Sequence, residues 1–136
     1  MNTAATETLT VTVEREIPYP PEKIWRALTQ PHLIEEWLMK SDFKPVADHR
    51  FSFRADWGSV DCQVLSIEDG KTLSYTWAAM GLDSVVTWTL TPSGAGTLLR
   101  MEQAGFRTDQ KQAFHGARFG WQKFFESLEQ ALARTD

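Results

Sequence analysis

The stretch "EREIPYPPEKIWRALTQPHLIEEW", residues 14–37, changes its pattern halfway and indicates a strand that leads into two helices. Pro18 should end the strand, because proline has no N–H to donate to a sheet. Pro21 suits the first helical position, where no backbone donor is needed. Pro31 breaks this helix, and a second apolar set at helical spacing runs from there to Trp37. The opening of the chain is therefore predicted to be one strand followed by two short helices.

Alternating apolar and polar residues predict strands on both sides of this stretch. The first strand covers residues 7–17, and the region of about 40–49 is expected to be a loop. The later strands are predicted at 50–55, 59–68, 72–77, 84–91 and 97–103, with turns at "EDGK" (68–71) and "PSGAG" (92–96). Within 59–68 the alternation places Val60, Cys62 and Val64 on one face and Leu65 and Ile67 on the other. Short strands joined by tight turns are typical of an antiparallel meander.

A long helix is predicted over about 108–134, because its apolar residues recur at steps of three and four. The apolar stripe consists of Phe114, Ala117, Trp121, Phe124, Phe125, Leu128 and Leu132. An antiparallel sheet needs a cover for its apolar face, and this helix is the longest element available. We therefore expect an α+β fold in which a curved antiparallel sheet of about six strands wraps around the C-terminal helix. The whole chain, 1–136, is expected to be one domain with a disordered start over about 1–6.

Composition and charge exclude several classes of protein. A net charge of −4 over 136 residues argues against a nucleic-acid or anionic-membrane partner, since both require a basic patch. Cys62 is the single cysteine, so no intrachain disulfide forms. The first residues lack the pattern of a signal peptide, and no apolar run reaches the length of a membrane span. These observations predict a cytoplasmic protein.

Five residues of the opening stretch stand in an arrangement typical of one known family: Trp25, Leu28, Thr29, Pro31 and Trp37. Three later segments extend the match along nearly the whole chain: "LSYTW" (73–77), "GTLLRMEQAGF" (96–106) and "GWQKFFESLEQAL" (120–132). The chain thereby resembles the homologues of the C-terminal domain of the Hsp90 ATPase activator, within the START-like or Bet v 1-like superfamily. This resemblance implies a helix-grip fold with a cavity between the curved sheet and the C-terminal helix, closed at one end by the two short helices. It does not imply one function, because superfamily members include binders of hydrophobic small molecules, polyketide cyclases and co-chaperones.

The sequence contains no recognisable catalytic or metal-binding pattern. The histidines His32, His49 and His115 are far apart and show no zinc-ligand spacing. His32 and Glu36, four residues apart, are interpreted as a solvated polar pair, and Cys62 as a small core residue. No nucleophile elbow or phosphate-binding glycine loop occurs. We therefore expect no cofactor and no metal, and an enzyme would have to use Tyr75 or His115 as its acid or base.

The aromatic residues provide the candidate ligand site, because apolar walls with a few polar groups are typical of small-molecule pockets. Trp57 and Met80 are predicted to rim the cavity mouth, and Arg118 to meet an anionic group at its edge. The full predicted site is Trp37, Phe51, Phe53, Trp57, Tyr75, Trp77, Met80, Trp88, Phe114, Arg118 and Trp121. Trp25 is expected to pack as core, whereas Trp37 is the better candidate for a cavity wall. The alternative is that the same rings fill a solid core.

The sequence thus predicts non-covalent binding of a hydrophobic or aromatic small molecule in this cavity. One alternative is a protein-interaction module, similar to a co-chaperone, that contacts its partner through the C-terminal helix. Phe119 favours it, because it points about 160° away from Trp121 and should be exposed unless a partner or the loop at 40–49 covers it. The other alternative is a cyclase or hydrolase that uses the cavity.

Overall fold

The structure, a computed structural model, describes residues 8–135 and confirms the α+β architecture. The predicted disorder over residues 1–6 lies outside the described residues. The elements are β1 (Thr8–Ile17), α1 (Pro21–Thr29), α2 (Pro31–Trp37), β2 (Lys40–Ser41), β3 (Arg50–Ala55), β4 (Gly58–Glu68), β5 (Thr72–Ala79), β6 (Leu82–Ser93), β7 (Gly96–Arg107) and α3 (Lys111–Arg134). None of the helices within residues 8–135 combines the length and apolar character needed to cross a membrane.

The strands form one antiparallel sheet in the order β1-β7-β6-β5-β4-β3-β2. It has seven strands where about six were expected, because the predicted loop over 40–49 contains the two-residue strand β2. Lys40 pairs with Arg54, and Ser41 pairs with Phe53. The Ser41 hydroxyl also donates to the backbone carbonyl of Ser52 at 2.8 Å. A strand of two residues shows no alternation, so periodicity could not reveal it.

β4 contains a β-bulge, and the side chains after it therefore lie on the opposite face from the one predicted. The pairing shifts between Val64, which lies opposite Tyr75, and Ser66, which lies opposite Ser74. One extra residue in a strand moves every later side chain to the other face. Ile67 therefore packs against the core on the same side as Val64, and its assignment to the opposite face was wrong.

The prolines act as predicted at the start of both helices. Pro20 has an extended backbone and is the N-cap of α1, so that Pro21 occupies the first helical position. Pro31 occupies the same position in α2, directly after α1 ends at Thr29. The two short helices therefore follow β1 without a long loop and close one end of the sheet.

The long helix α3 packs across the sheet through its predicted apolar stripe, of which Trp121, Phe125 and Leu128 are buried. Arg15 of β1 fixes its position, since the guanidinium donates to Glu129 at 2.8 Å and lies 5.6 Å from the centroid of the Phe125 ring. The second half of α3 is thereby held against β1. The curved sheet around a long helix is the helix-grip fold implied by the resemblance.

A cluster of interlocking rings fills the space between the sheet and the second half of α3. Trp88 lies at its centre, with ring centroids 5.8 Å from Trp37, 5.7 Å from Trp121 and 5.8 Å from Phe125. Its indole N–H donates to the Tyr75 hydroxyl at 2.9 Å, so its polar atom is satisfied. This part of the interior is a solid core.

Cys62 is buried in this core, as predicted, and its burial makes the free energy of unfolding depend on pH. Burial raises the pKa of its thiol above the ordinary value of 9.0, so the folded state keeps the proton that the unfolded chain releases. The unfolded state then binds fewer protons, and the free energy of unfolding falls by up to about 1.4 kcal/mol per pH unit above about pH 9.

We therefore expect urea unfolding to show a steeper decline in stability between about pH 8 and about pH 10 in the wild type than in the Cys62→Ala variant. Burial also raises the pKa of Tyr75 from its ordinary value of 10.0, and the decline that this causes above about pH 9 is common to both proteins. Equal slopes in the wild type and the variant would contradict the assignment to Cys62.

Candidate functional site

A cavity of about 540 Å³ lies between the first half of α3 and the ends of β5, β6 and β7. Its walls include the rings of Trp77, Trp121 and Phe124. The ring centroid of Trp121 is 5.3 Å from that of Trp77 and 5.5 Å from that of Phe124. Trp57 and Met80 stand at the mouth and are 59% and 92% exposed. The cavity therefore has an aromatic interior and opens to solvent.

The cavity exists because the first half of α3 lines this space with small side chains, whereas the second half buries larger ones such as Phe125 and Leu128 against the core. Ala113, Gly116, Ala117 and Gly120 line it from the helix side, in the spacing that puts residues on one helical face. A Cβ atom added to Gly116 or to Gly120 would meet no atom within 4 Å. The segment "AFHGARFG" (113–120) thus leaves a gap that the core-filling face beyond it does not have.

The floor of the cavity carries a buried chain of hydrogen bonds through Gln103. The indole N–H of Trp121 donates to Gln103 Oε1 at 2.7 Å, and Gln103 Nε2 lies 3.0 Å from Ser84 Oγ. The Ser84 hydroxyl in turn donates to the backbone carbonyl of Trp77 at 2.9 Å. Indole is a donor only, so Oε1 must be the atom that faces it, and the orientation of the amide is determined. Gln103 is 1% exposed and therefore rigidly placed.

At the rim, Gln110 connects the start of α3 to the turn between β5 and β6. Its Oε1 accepts from the backbone N–H of Arg107 at 2.9 Å, and its Nε2 donates to the carbonyl of Gly81 at 3.3 Å. Both ends of this amide are thus engaged by backbone. Among the described residues, every side chain that lines the cavity is uncharged.

Nine of the eleven predicted site residues fall into two groups. The cavity is lined by Trp57, Trp77, Met80 and Trp121. The solid ring cluster beside it contains Trp37, Phe51, Phe53, Tyr75 and Trp88. Outside both, Phe114 packs on Phe106 and Arg118 is exposed on α3. Trp25 is half-buried against the core. Gln103 and the small residues of α3 were not among the residues predicted from the sequence.

The two residues named as acid or base for an enzyme lie away from the cavity. Tyr75 is buried in the ring cluster, where desolvation raises the pKa of its phenol well above the usual range and keeps it protonated. His115 is exposed on α3 with its ring 5.4 Å from that of Phe114. Within residues 8–135, no three side chains of the metal-binding types His, Cys, Asp and Glu come together.

Phe119 is 67% exposed, so the loop at 40–49, one of the two covers left open by the sequence, does not cover it. The Lys123 ammonium lies 5.0 Å from the centroid of its ring. This contact on the helix surface leaves most of the ring accessible to solvent.

Met80 lies at the cavity mouth, in a strained turn. Its φ of 54° lies in the left-handed region, and Gly81 follows with a φ of 82°. Two such residues form the tight hairpin turn in which Asn-Gly is preferred. The strain is located at the rim of the cavity.

We expect Met80→Asn to raise the free energy of unfolding by about 0.5–1 kcal/mol, because asparagine tolerates this backbone better and the exposed methionine contributes little burial. Urea unfolding measures the change. Met80→Leu keeps the strain and serves as the control, so an equal gain in both variants would contradict the explanation.

Comparison with known proteins places the chain in a family. The family model described as activator of Hsp90 ATPase homolog 1-like protein matches residues 18–133. The crystal structure of protein MLL2253 from Mesorhizobium loti is 63% identical, with a TM-score of 0.91 over 94% of this chain and 99% of that chain. A comparison with curated proteins found no match.

Two more distant solved structures share the fold. CalU16 from Micromonospora echinospora is 22% identical with a TM-score of 0.82, over 94% of this chain and 78% of that chain. The Aha1 dimer from Colwellia psychrerythraea is 23% identical with a TM-score of 0.80, over 91% and 96%. Since the family model covers most of the chain and the predicted helix-grip architecture is present, this protein belongs to the family of Hsp90 ATPase activator homolog 1-like proteins.

Proposed function

We propose that this protein binds a hydrophobic or aromatic small molecule, without covalent attachment, in the cavity between α3 and the ends of β5–β7. The observation that carries the proposal is the open space beside Gly116 and Gly120, which faces the paired rings of Trp77 and Trp121. Its volume of about 540 Å³ is within the range of about 300–1,000 Å³ typical of small-molecule sites.

The chemistry of the walls supports an apolar, ring-containing ligand. A flat ligand that enters between Trp77 and the helix would contact ring faces and edges on one side and helix backbone on the other. Aromatic pairs of this kind are worth about 0.5–1.5 kcal/mol beyond the area that they bury. The buried amide of Gln103 supplies a polar group at the floor that would orient such a ligand.

A two-dimensional NMR titration with flavonoids, fatty acids and sterols tests the proposal. We expect the indole N–H resonances of Trp77 and Trp121 and the backbone amides of Gly116 and Gly120 to shift together. The indole of Trp25, on α1 and outside the cavity lining, is an internal control that should not move. No shift with any class of compound, or shifts confined to residues outside the cavity, would contradict the proposal.

A protein-interaction function is the second candidate, and the exposed ring of Phe119 favours it. The distant structure from Colwellia psychrerythraea is named as a dimer. If α3 contacts a second copy of this chain, raising the protein concentration should shift the amides of Phe119 and Lys123 and leave Trp77 unchanged. The two candidates therefore move different sets of resonances in the same spectrum.

A further inference from the structure

We infer that the cavity selects a ligand whose buried end is uncharged and carries a hydrogen-bond acceptor, and that the side-chain amide of Gln103 donates to this acceptor. The inference rests on the proposed function and specifies the ligand class of the same cavity. It is carried by the hydrogen-bond directions at the floor and by the absence of charge in the lining formed by the described residues.

The hydrogen-bond directions around Gln103 follow from groups that can play one role only. Trp121 Nε1 can only donate, so it fixes Oε1 of Gln103 as acceptor, and Nε2 then faces Ser84. The carbonyl of Trp77 can only accept, so the Ser84 hydroxyl donates to it and accepts from Gln103. No alternative set of directions satisfies these three bonds.

This arrangement leaves Gln103 Nε2 with a second hydrogen. One hydrogen donates to Ser84, and the hydrogen bonds within residues 8–135 give the other no partner. Gln103 is one of the residues that line the cavity, and this hydrogen would be the donor that a ligand meets there. Each buried side-chain nitrogen or oxygen of the described residues has at least one partner, and the acceptor of a bound ligand would use the second hydrogen of this one.

The absence of charged side chains in the lining also limits which ligand groups can be buried in the cavity. The lining formed by the described residues offers rings, small aliphatic groups and the two amides of Gln103 and Gln110, and Gln110 is engaged at both ends. A buried carboxylate or ammonium with no opposite charge beside it is costly. Arg118, the residue predicted to meet an anion, is exposed outside this lining. An ionised group at the buried end of a ligand is therefore disfavoured relative to a ketone or an ether there, whereas an ionised group at the open mouth stays in water.

Three probes with one ring system test the inference on the wild-type protein: acetylnaphthalene, ethylnaphthalene and naphthoate, each substituted at the same ring position. Dissociation constants come from NMR titration. We expect acetylnaphthalene to bind more tightly than ethylnaphthalene, although the ethyl compound is more hydrophobic, and naphthoate to bind most weakly. The side-chain N–H resonances of Gln103 should move downfield with acetylnaphthalene and not with ethylnaphthalene.

Variants of Gln103 then test the role of its amide. Gln103→Met removes the donor and should shift the ratio of the acetyl and ethyl dissociation constants about tenfold toward the ethyl compound. Gln103→Glu, whose carboxyl group burial keeps protonated, retains an acceptor for Trp121 Nε1 and donates its single O–H to Ser84. It has no spare hydrogen, so it should give the same loss of preference if Gln103→Met folds poorly. Gln122→Met makes the same substitution on α3 outside the cavity lining and should leave the ratio unchanged.

The outcomes separate this inference from the proposed function. If all three probes shift Trp77 and Gly120 but naphthoate binds as tightly as acetylnaphthalene, the inference is overturned and the proposed function stands. The same holds if the ratio is unchanged in both Gln103 variants. If no probe shifts the cavity residues, the proposed function and this inference both fail.

Discussion

Replacing Gly120 with leucine is expected to weaken the binding of every cavity ligand by at least about tenfold while making the fold more stable. Gly120 is helical and lines the cavity, and a Cβ added there meets no atom within 4 Å. Long side chains on a helix point back toward the preceding turn, which here carries Gly116. The Cβ of the new side chain thus meets no neighbour, and the rest of the side chain would extend into the ligand space.

The gain in stability has a separate physical origin. Glycine is less favourable than leucine in a helix interior by about 0.8 kcal/mol, and the new side chain also buries apolar surface. We therefore expect urea unfolding to show an increase of about 1 kcal/mol or more. Loss of binding combined with a gain in stability would distinguish an occupied cavity from a damaged fold.

Gly120→Ala is the matched control. It supplies most of the helix-propensity gain but only one methyl group of volume, so stability should rise while the dissociation constant changes little. A destabilised Gly120→Leu variant would show that the space beside α3 is not open as the structure describes. Unchanged ligand binding in that variant would show that the ligand binds elsewhere.

Trp88→Ala is expected to lower the free energy of unfolding by about 3–5 kcal/mol, because it removes the central ring of the solid core. Trp88 is 1% exposed and contacts the rings of Trp37, Trp121 and Phe125. Its removal opens a void and leaves the buried Tyr75 hydroxyl without its donor. Because a whole domain is stable by only about 5–15 kcal/mol, this loss is a large fraction of the total stability.

Trp57→Ala is the matched control for the same change in side chain. Trp57 is 59% exposed, so its removal should change the free energy of unfolding by only about 0.5 kcal/mol. It lines the cavity mouth, however, and its loss should weaken ligand binding. Urea unfolding and NMR titration of both variants measure the two effects, and similar losses of stability would contradict the division between core and cavity.

The small residues of α3 show why the candidate site was only partly predictable. Rings dominated the predicted site, and four of its eleven residues line the cavity: Trp57, Trp77, Met80 and Trp121. A gap is created by atoms that are missing, and Gly116 and Gly120, which share a helical face with Ala113 and Ala117, were a readable signal of it. Gln103 left a signal too, since the alternation of Leu99, Met101 and Gln103 places a polar residue on the buried face of its strand.

Local chemistry was sufficient to predict most element boundaries and inward-facing side chains of this protein from the sequence alone. Proline ends strands and starts helices because it lacks an N–H and has a fixed φ, and these effects need no distant partner. They set the element boundaries at Pro18, Pro21 and Pro31. The alternation in the strands and the three-to-four spacing in α3 specified which side chains face inward. The resemblance along nearly the whole chain indicated the family, and the helix-grip fold followed from the order of the elements.

Tertiary structure alone decided the bulge after Val64 and which rings pack against each other. Phe53 and Trp77 have the same strand alternation and similar chemistry, yet Phe53 is enclosed in the ring cluster and Trp77 faces the cavity. The difference depends on what α3 presents across the interface, many residues away in sequence. Packing is a property of both surfaces together, so no single segment could show where the interior is filled and where it stays open.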